Sequence, residues 1–196
     1  MQQITFGVVA DDITGANDIG IMFTKAGKRA CVCSGIPEAS FRWEADAAIV
    51  DTDSRFHPRD LAYREVFAAT RYLMGLGVRQ FYKKTCSVFR GNIGAEFDAM
   101  LDALGEDFGV VILGFPANGR TTVQGIHYVY GVPLAESQFK DDPMNPMHCS
   151  DLREILSGQT ARRVSNLTAE DLDRGAPWLR RRLQEEKAKG GYQVCD

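Results

Sequence analysis

No run of the 196 residues approaches the ~18 consecutive apolar side chains of a membrane span. A dominant charge is also missing. The 23 Lys and Arg stand against 26 Asp and Glu, the net charge is −3, and the basic residues are scattered. That excludes the electrostatic footprint of a nucleic-acid binder and offers nothing to a membrane surface. The start has no basic leader and no cleavage site but runs directly into an apolar stretch, so the chain reads as cytoplasmic. The five cysteines (Cys31, Cys33, Cys86, Cys149, Cys195) lack paired C-x-x-C spacing. A disulfide framework is not expected, and Cys31-x-Cys33, on one face of a strand-like segment, reads as buried thiols. His127 and His148 have no partners at metal-ligand spacing, so both read as structural or exposed and no metal is expected.

What is present is 44% hydrophobic residues in a length that fits one domain with a full core. The chain is organised around Gly7-Val8-Val9-Ala10-Asp11-Asp12-Ile13-Thr14-Gly15. An apolar strand, Ile4 to Ala10, ends on two carboxylates, and a helical pattern opens at Thr14-Gly15 and runs to Gly27. Either Asp12 or Thr14 caps that helix, or the pair does chemistry at the carboxyl end of the strand. Further strands are expected at Lys28 to Ser34, Ala45 to Val50, Val78 to Tyr82 and Phe108 to Leu113. Helices are expected from His57-Pro58 to Gly75 and from Ile93 to Leu104. This alternation argues for an α/β fold, a Rossmann-like parallel sheet with helices on both faces. Between Thr121 and Pro146 the periodicity fades into short strands or a hairpin, an insertion after the fifth strand. A short helix at Asp151 to Leu156, a capped helix from Thr168 restarting near Pro177, and a strand from Tyr192 to Cys195 complete the chain. The stop at Asp196 falls where earlier strands hand over to loops, and reads as a cut.

Four of these strands end on polar or glycine-rich segments, which places Asp11, Asp12, Ser54, Arg55, Lys84, Ser87, Arg90, Asn118 and Arg120 on one sheet edge. Cations for a carboxylate, with acids and amides for hydroxyls, suit a small polyhydroxylated anion. Two phosphate motifs fit poorly. Asp51-Thr52-Asp53 has the spacing of a haloacid-dehalogenase-type phosphatase, but Arg55 stands where that family needs Thr or Val. Gly114 to Thr121 reads G-x-x-x-x-G-R-T, yet Pro116 removes a donor from the loop, and Thr121-Thr122-Val123 is poor at launching a helix. An anion clamp by Arg120 fits this loop better.

Four ordered motifs carry a resemblance: Ala10-Asp11-Asp12-Ile13-Thr14-Gly15-Ala16-Asn17-Asp18; Thr52-Asp53-Ser54-Arg55; Lys83-Lys84 with Ser87 and Arg90-Gly91-Asn92-Ile93-Gly94-Ala95-Glu96; and Phe115-Pro116-Ala117-Asn118-Gly119-Arg120-Thr121-Thr122. Together they resemble the N-terminal half of the four-carbon acid sugar kinases, over essentially the whole chain. The resemblance implies a two-domain enzyme that phosphorylates the terminal hydroxyl of threonate, erythronate or 3-oxo-tetronate. Residues 1–196 would hold the sugar acid, and a further C-terminal domain would hold ATP and Mg, with no cofactor expected on this chain alone. Phosphoryl transfer asks for one proton acceptor, for which Asp12 is expected with Asp11 as alternate, and Arg55, Lys84 and Arg90 are expected on the carboxylate or phosphate. Ser54, Ser87, Gly91, Asn92, Asn118 and Arg120 would line the substrate site, and a homodimer is compatible. Where the family has Lys-Lys-Ile-Asp-Ser-Thr-Leu-Arg-Gly-Asn, this chain has Cys86 for the acid and Val88 for the hydroxyl. Cys86 is therefore either a thiolate activated by Lys84 and Arg90 or an inert thiol. A non-catalytic sugar-acid-binding module is the rival reading. An effector, the family's older label, has no support in these residues.

Overall fold

The computed structural model describes residues 4–196, and these fall into two compact units. The first comprises the chain to Cys86 together with Gly91–Gly105. It contains β1 (Phe6–Ala10), α1 (Ile13–Lys25), β2 (Ala30–Ser34), β3 (Ala47–Asp51), α2 (Arg59–Gly75), β4 (Gln80–Lys84) and α3 (Ile93–Leu104). Its four strands pair in parallel in the order β2-β3-β1-β4, with Ala10 opposite both Asp51 and Lys84. Side chains alternate across the pleat. Val9, Ala48 and Val50 pack against Val66, Ala69 and Leu73 of α2 and Ala99 and Met100 of α3. Val8, Ala10 and Ile49 pack against Ala16 of α1 on the other face. Full burial of each Val or Leu in these layers is worth about 1.5–3 kcal/mol. Helices on both faces of a parallel sheet are thus as the sequence implies.

The second unit comprises Ser87–Arg90 and Glu106–Asp196. Its elements are β5 (Phe108–Ile112), a 3-10 turn at Pro116–Asn118, β6 (Arg120–Val123), β7 (Ile126–Val129), β8 (Val132–Pro133), α4 (Leu152–Ser157), β9 (Val164–Leu167), α5 (Ala169–Leu172), α6 (Ala176–Lys189) and β10 (Gly191–Cys195). A parallel sheet runs β5-β10-β9, and β6-β7-β8 form an antiparallel meander. Its two hairpins turn on Gln124-Gly125 and Tyr130-Gly131, all at positive φ, the type I′ arrangement that matches strand twist.

Two expectations change. The fifth strand does not extend the first sheet: β5 pairs with β10, a partner far downstream that local periodicity cannot reveal. Strand β9 was not expected, because Ser165 and Asn166 give it no apolar alternation, and it forms by pairing with β10. Among the described residues, no helix is long and apolar enough to cross a membrane.

Candidate functional site

In the first unit, β1 is followed by a helix on one sheet face, whereas β3 and β4 are followed by helices on the other. The crevice beyond the carboxyl end of β1 is therefore at a switch point of the winding, where open α/β sheets take ligands. Three neighbouring strands deliver side chains there: Asp11 and Asp12 after β1, Thr52 to Arg55 after β3, and Lys84 to Cys86 at the end of β4.

Arg55 is the hub. Its Nε and Nη2 donate to the two oxygens of Asp11, both at 2.9 Å, in fork geometry. Its Nη1 donates to Asp12 Oδ2 at 2.6 Å. Asp11 is fully buried, while the Asp12 side chain retains 21% exposure. Burial works against the Arg55 charge, but the Asp11 hydrogen bonds and the charges of Asp11, Cys86 and Asp12 outweigh it and raise its pKa. Asp12 also caps α1: its Oδ1 accepts from Gly15 N at 2.7 Å. The capping alternative for this turn thus holds for Asp12, whose other oxygen meets Arg55.

The loop carrying Arg55 is fastened from behind. Asn92 Nδ2 donates to the His57 carbonyl at 2.8 Å. Ser54 is fully buried and donates to Glu96 Oε1 at 2.6 Å, and Thr52 Oγ1 donates to the Ala10 carbonyl at 2.8 Å. Gly91 sits at φ +100, and a Cβ there would lie 2.8 Å from the Arg55 carbonyl oxygen. Ser54, Gly91 and Asn92, expected among the substrate contacts, also hold the loop that presents Arg55. Beneath them Lys83 Nζ lies 2.7 Å from Glu96 Oε2, with 5% and 1% side-chain exposure; it is an ion pair by distance although that oxygen accepts no aligned hydrogen bond. The sequence reading missed this pair. Glu96 three residues after Ile93 was its only signal, and such an acid reads equally well as a helix-capping partner.

Lys84 Nζ donates to the Thr85 carbonyl at 2.9 Å and packs over Gly15 at the start of α1. Among the described residues it has no carboxylate partner. Cys86 is buried beside the pair of acids, its N–H donating to Asp11 Oδ2 at 3.3 Å. Asp51, also missed as a site residue from sequence, is buried at the end of β3, and its carboxylate accepts the Asp53 N–H at 3.0 Å. Burial pushes its carboxyl above the usual carboxylate range; the Asp53 N–H opposes this, and the charges of Asp53, Asp12 and Asp11 add to it. Among the described residues, no group of three or more His, Cys, Asp or Glu side chains is arranged to hold a metal.

The other expected residues belong to the second unit. Arg90 pairs with Asp142 at 2.6 Å, and Asp142 also accepts from Asn145 N and Met144 N. The Asn145 N–H leads in holding that carboxyl below its ordinary range against a burial penalty, with Arg90 adding to it. Arg120 Nη1 donates to the Asn118 carbonyl at 2.9 Å, so Asn118 acts through its backbone. Ser87 offers its carbonyl to His127 Nε2 at 3.0 Å, and His127 Nδ1 lies 3.1 Å from Thr122 Oγ1. A carbonyl can only accept, so Nε2 carries the proton and Nδ1 accepts from Thr122. Of the residues expected in one cleft, Asp11, Asp12, Ser54, Arg55, Lys84, Gly91 and Asn92 belong to the first unit, and Ser87, Arg90, Asn118 and Arg120 to the second. Two hollows of the second unit, about 370 and 400 Å³, contain none of the candidate residues; one is edged by Arg162, Arg163 and Lys189, the other by Phe108, Leu179 and Leu183.

Comparison with known proteins places this geometry. A family described as the sugar-binding N-terminal domain matches residues 6–196. A 3-oxo-tetronate kinase of Brucella melitensis is 34% identical over 100% of this chain and 46% of its own length. The crystal structure of a Haemophilus influenzae protein superposes with a TM-score of 0.92 at 36% identity, covering 97% of this chain and 47% of that one. A Bordetella bronchiseptica structure, a domain-swapped dimer with bound citrate, gives 0.81 at 30% identity over 97% of this chain and 46% of its own. The chain therefore spans about half the length of the curated relatives it matches. With a family match over nearly its whole length, the chain belongs to the sugar-binding N-terminal domain family.

Proposed function

We propose that the chain is the substrate-binding half of an ATP-dependent kinase acting on the terminal hydroxyl of a four-carbon sugar acid. The 3-oxo-tetronate named for its relatives is the first substrate to test. The observation that carries this reading is Arg55 bridging Asp11 and Asp12 at the switch point of a domain whose family is described as sugar-binding. Asp11, buried and engaged at both oxygens, anchors Arg55. Asp12 remains partly exposed, and each of its oxygens keeps a second lone pair, so it is the group proposed to accept the proton of the attacking hydroxyl. Lys84, which has no carboxylate partner among the described residues, receives the sugar-acid carboxylate. Asp51 accepts a substrate hydroxyl.

ATP with Mg supplies the phosphoryl group when bound, and the residues present do not fit it. The Gly114–Thr121 loop spends the N–H groups of Phe115, Asn118, Gly119 and Arg120 internally and leads into β6, so the nucleotide is proposed to bind outside these 196 residues. A cytoplasmic location and a homodimer accompany this reading. Calorimetric titration with erythronate and threonate tests it: loss of one charge-assisted contact in Lys84→Ala should cost about 1.5–3 kcal/mol of binding. Native-like affinity in both Lys84→Ala and Asp12→Asn would place the substrate elsewhere. One observation favours a second reading, a non-catalytic binding module. Cys86 stands where the resemblance expects an acid, and a thiol cannot replace a two-oxygen acceptor.

A further inference from the structure

Strand β2 is an edge of the first unit's sheet, and it carries two thiols at alternate positions. Ala30 and Val32 join the cluster that α1 covers on one face of the sheet. Alternation along the strand therefore turns Cys31 and Cys33 together to the other face, beside Ala48 and Val50 of β3. The sequence reads both as buried thiols, but at the sheet edge each remains half-buried. We propose that Cys31 and Cys33 form a two-coordinate dithiolate site for a soft monovalent cation of the copper(I) class.

Spacing comes first. Two steps along a strand set Cα atoms about 6.6 Å apart. That is near the upper end of what a disulfide spans, about 4.4–6.8 Å, and side chains that stand parallel do not aim their sulfurs at each other. Joining them directly would bend β2, which is paired with β3 at all five of its residues. An ion between the sulfurs bridges a wider gap and leaves the strand as it is. The thiols already act on one another. Burial pushes the Cys33 thiol up to about 11, and the charge of Cys31 and a hydrogen bond with it add to that push. Such a thiol is a poor free nucleophile. A cation that takes the place of its proton removes the like-charge cost, and a coordinating thiol is deprotonated outright.

The number of ligands then selects the ion. Among the described residues, no group of three or more His, Cys, Asp or Glu side chains is arranged to hold a metal. Structural zinc asks for four ligands, and calcium and magnesium ask for oxygens. Copper(I) prefers thiolate and is satisfied by two sulfurs in line. On binding, each thiol releases its proton to solvent and two copper–sulfur bonds form. The metal stays monovalent, so the step needs neither oxidant nor reductant.

This inference does not rest on the kinase reading. The test is an anaerobic titration of the 196-residue chain with copper(I) against bicinchoninate, a coloured copper(I) chelator. One equivalent should be retained, with an ultraviolet thiolate-to-copper charge-transfer band. Cys31→Ser and Cys33→Ser each leave a single sulfur, and each should bind about 10²–10⁴-fold more weakly, the loss expected when a two-point attachment becomes one. Cys149, whose thiol is engaged with Glu154 and the Asp151 carbonyl, serves as the control, and Cys149→Ser should bind like the native chain. Bound copper should also shield Cys31 and Cys33 from iodoacetamide while Cys149 still labels. The proposal is overturned if the chelator strips the metal at one equivalent, if either single variant at β2 binds like the native chain, or if the shielding falls on other cysteines. Should a variant fail to fold, the shielding pattern in the native chain decides alone.

Discussion

Single residues at the acid pair do different work although they are adjacent in sequence. Asp11 is buried under a two-point fork, so Arg55→Ala would strand its carboxylate, and breaking such a buried pair costs about 3–5 kcal/mol. Asp12→Ala would lose a helix cap and one Arg55 contact, and the cap accounts for about 0.5–2 kcal/mol. Urea unfolding of the two variants should therefore show the larger loss for Arg55→Ala; the reverse order would mean that the fork does not hold the turn together. Cys86 belongs to this same neighbourhood. Because it is buried while Cys31, Cys33 and Cys149 are half-buried, iodoacetamide should label it more slowly than those three at pH 7. If its thiol marks a lost acceptor, Cys86→Asp should strengthen erythronate binding. Fast labelling of Cys86, protected by erythronate, would instead identify an activated thiolate.

Elements were legible where local pattern fixes them. The apolar positions Phe97, Met100, Leu101 and Leu104 placed α3 from Ile93 to Leu104, and Gly105 ends it in the left-handed conformation. Short strands or a hairpin were expected where the helical period fades around Tyr128, Tyr130, Gly131 and Pro133, and two hairpins form, turning on Gln124-Gly125 and Tyr130-Gly131. What could not be read was partnership: nothing local says that β5 pairs with β10, or that Ser54 turns inward to Glu96. The β6–β7 hairpin also carries a pH dependence. Burial, with the Ser87 carbonyl opposing and the Arg120 charge adding, pushes the His127 pKa from 6.5 down to about 4. The unfolded chain then binds a proton between those values that the folded chain refuses. Stability is full above pH 6.5 and falls as pH drops toward 4, by up to about 3 kcal/mol. Urea unfolding between pH 7 and 4 should show this decline in the native chain and a flatter one in His127→Gln. Parallel profiles would place the titrating group elsewhere.

At the scale of the whole molecule, sequence gave the α/β class and the order of the motifs, while the division into two units depends on contacts between distant segments. That division bears on what the chain can do alone. A triphosphate loop needs free N–H groups pointing into a cradle, followed by a helix N-terminus. Here Phe115 N and Arg120 N are exchanged with each other's carbonyls, Asn118 N goes to the Phe115 carbonyl, Gly119 N goes to the Pro116 carbonyl, and Pro116 has no N–H. The chain then continues as β6, paired antiparallel with β7. The 196-residue chain should therefore bind sugar acids but release no ADP from ATP in the presence of erythronate, threonate or 3-oxo-tetronate, as followed by a coupled assay. Turnover above the no-acid blank that survives Arg120→Met would point to a nucleotide site elsewhere in the chain. Turnover abolished by that substitution would return the Gly114–Thr121 loop to phosphate chemistry through Arg120 rather than through its backbone.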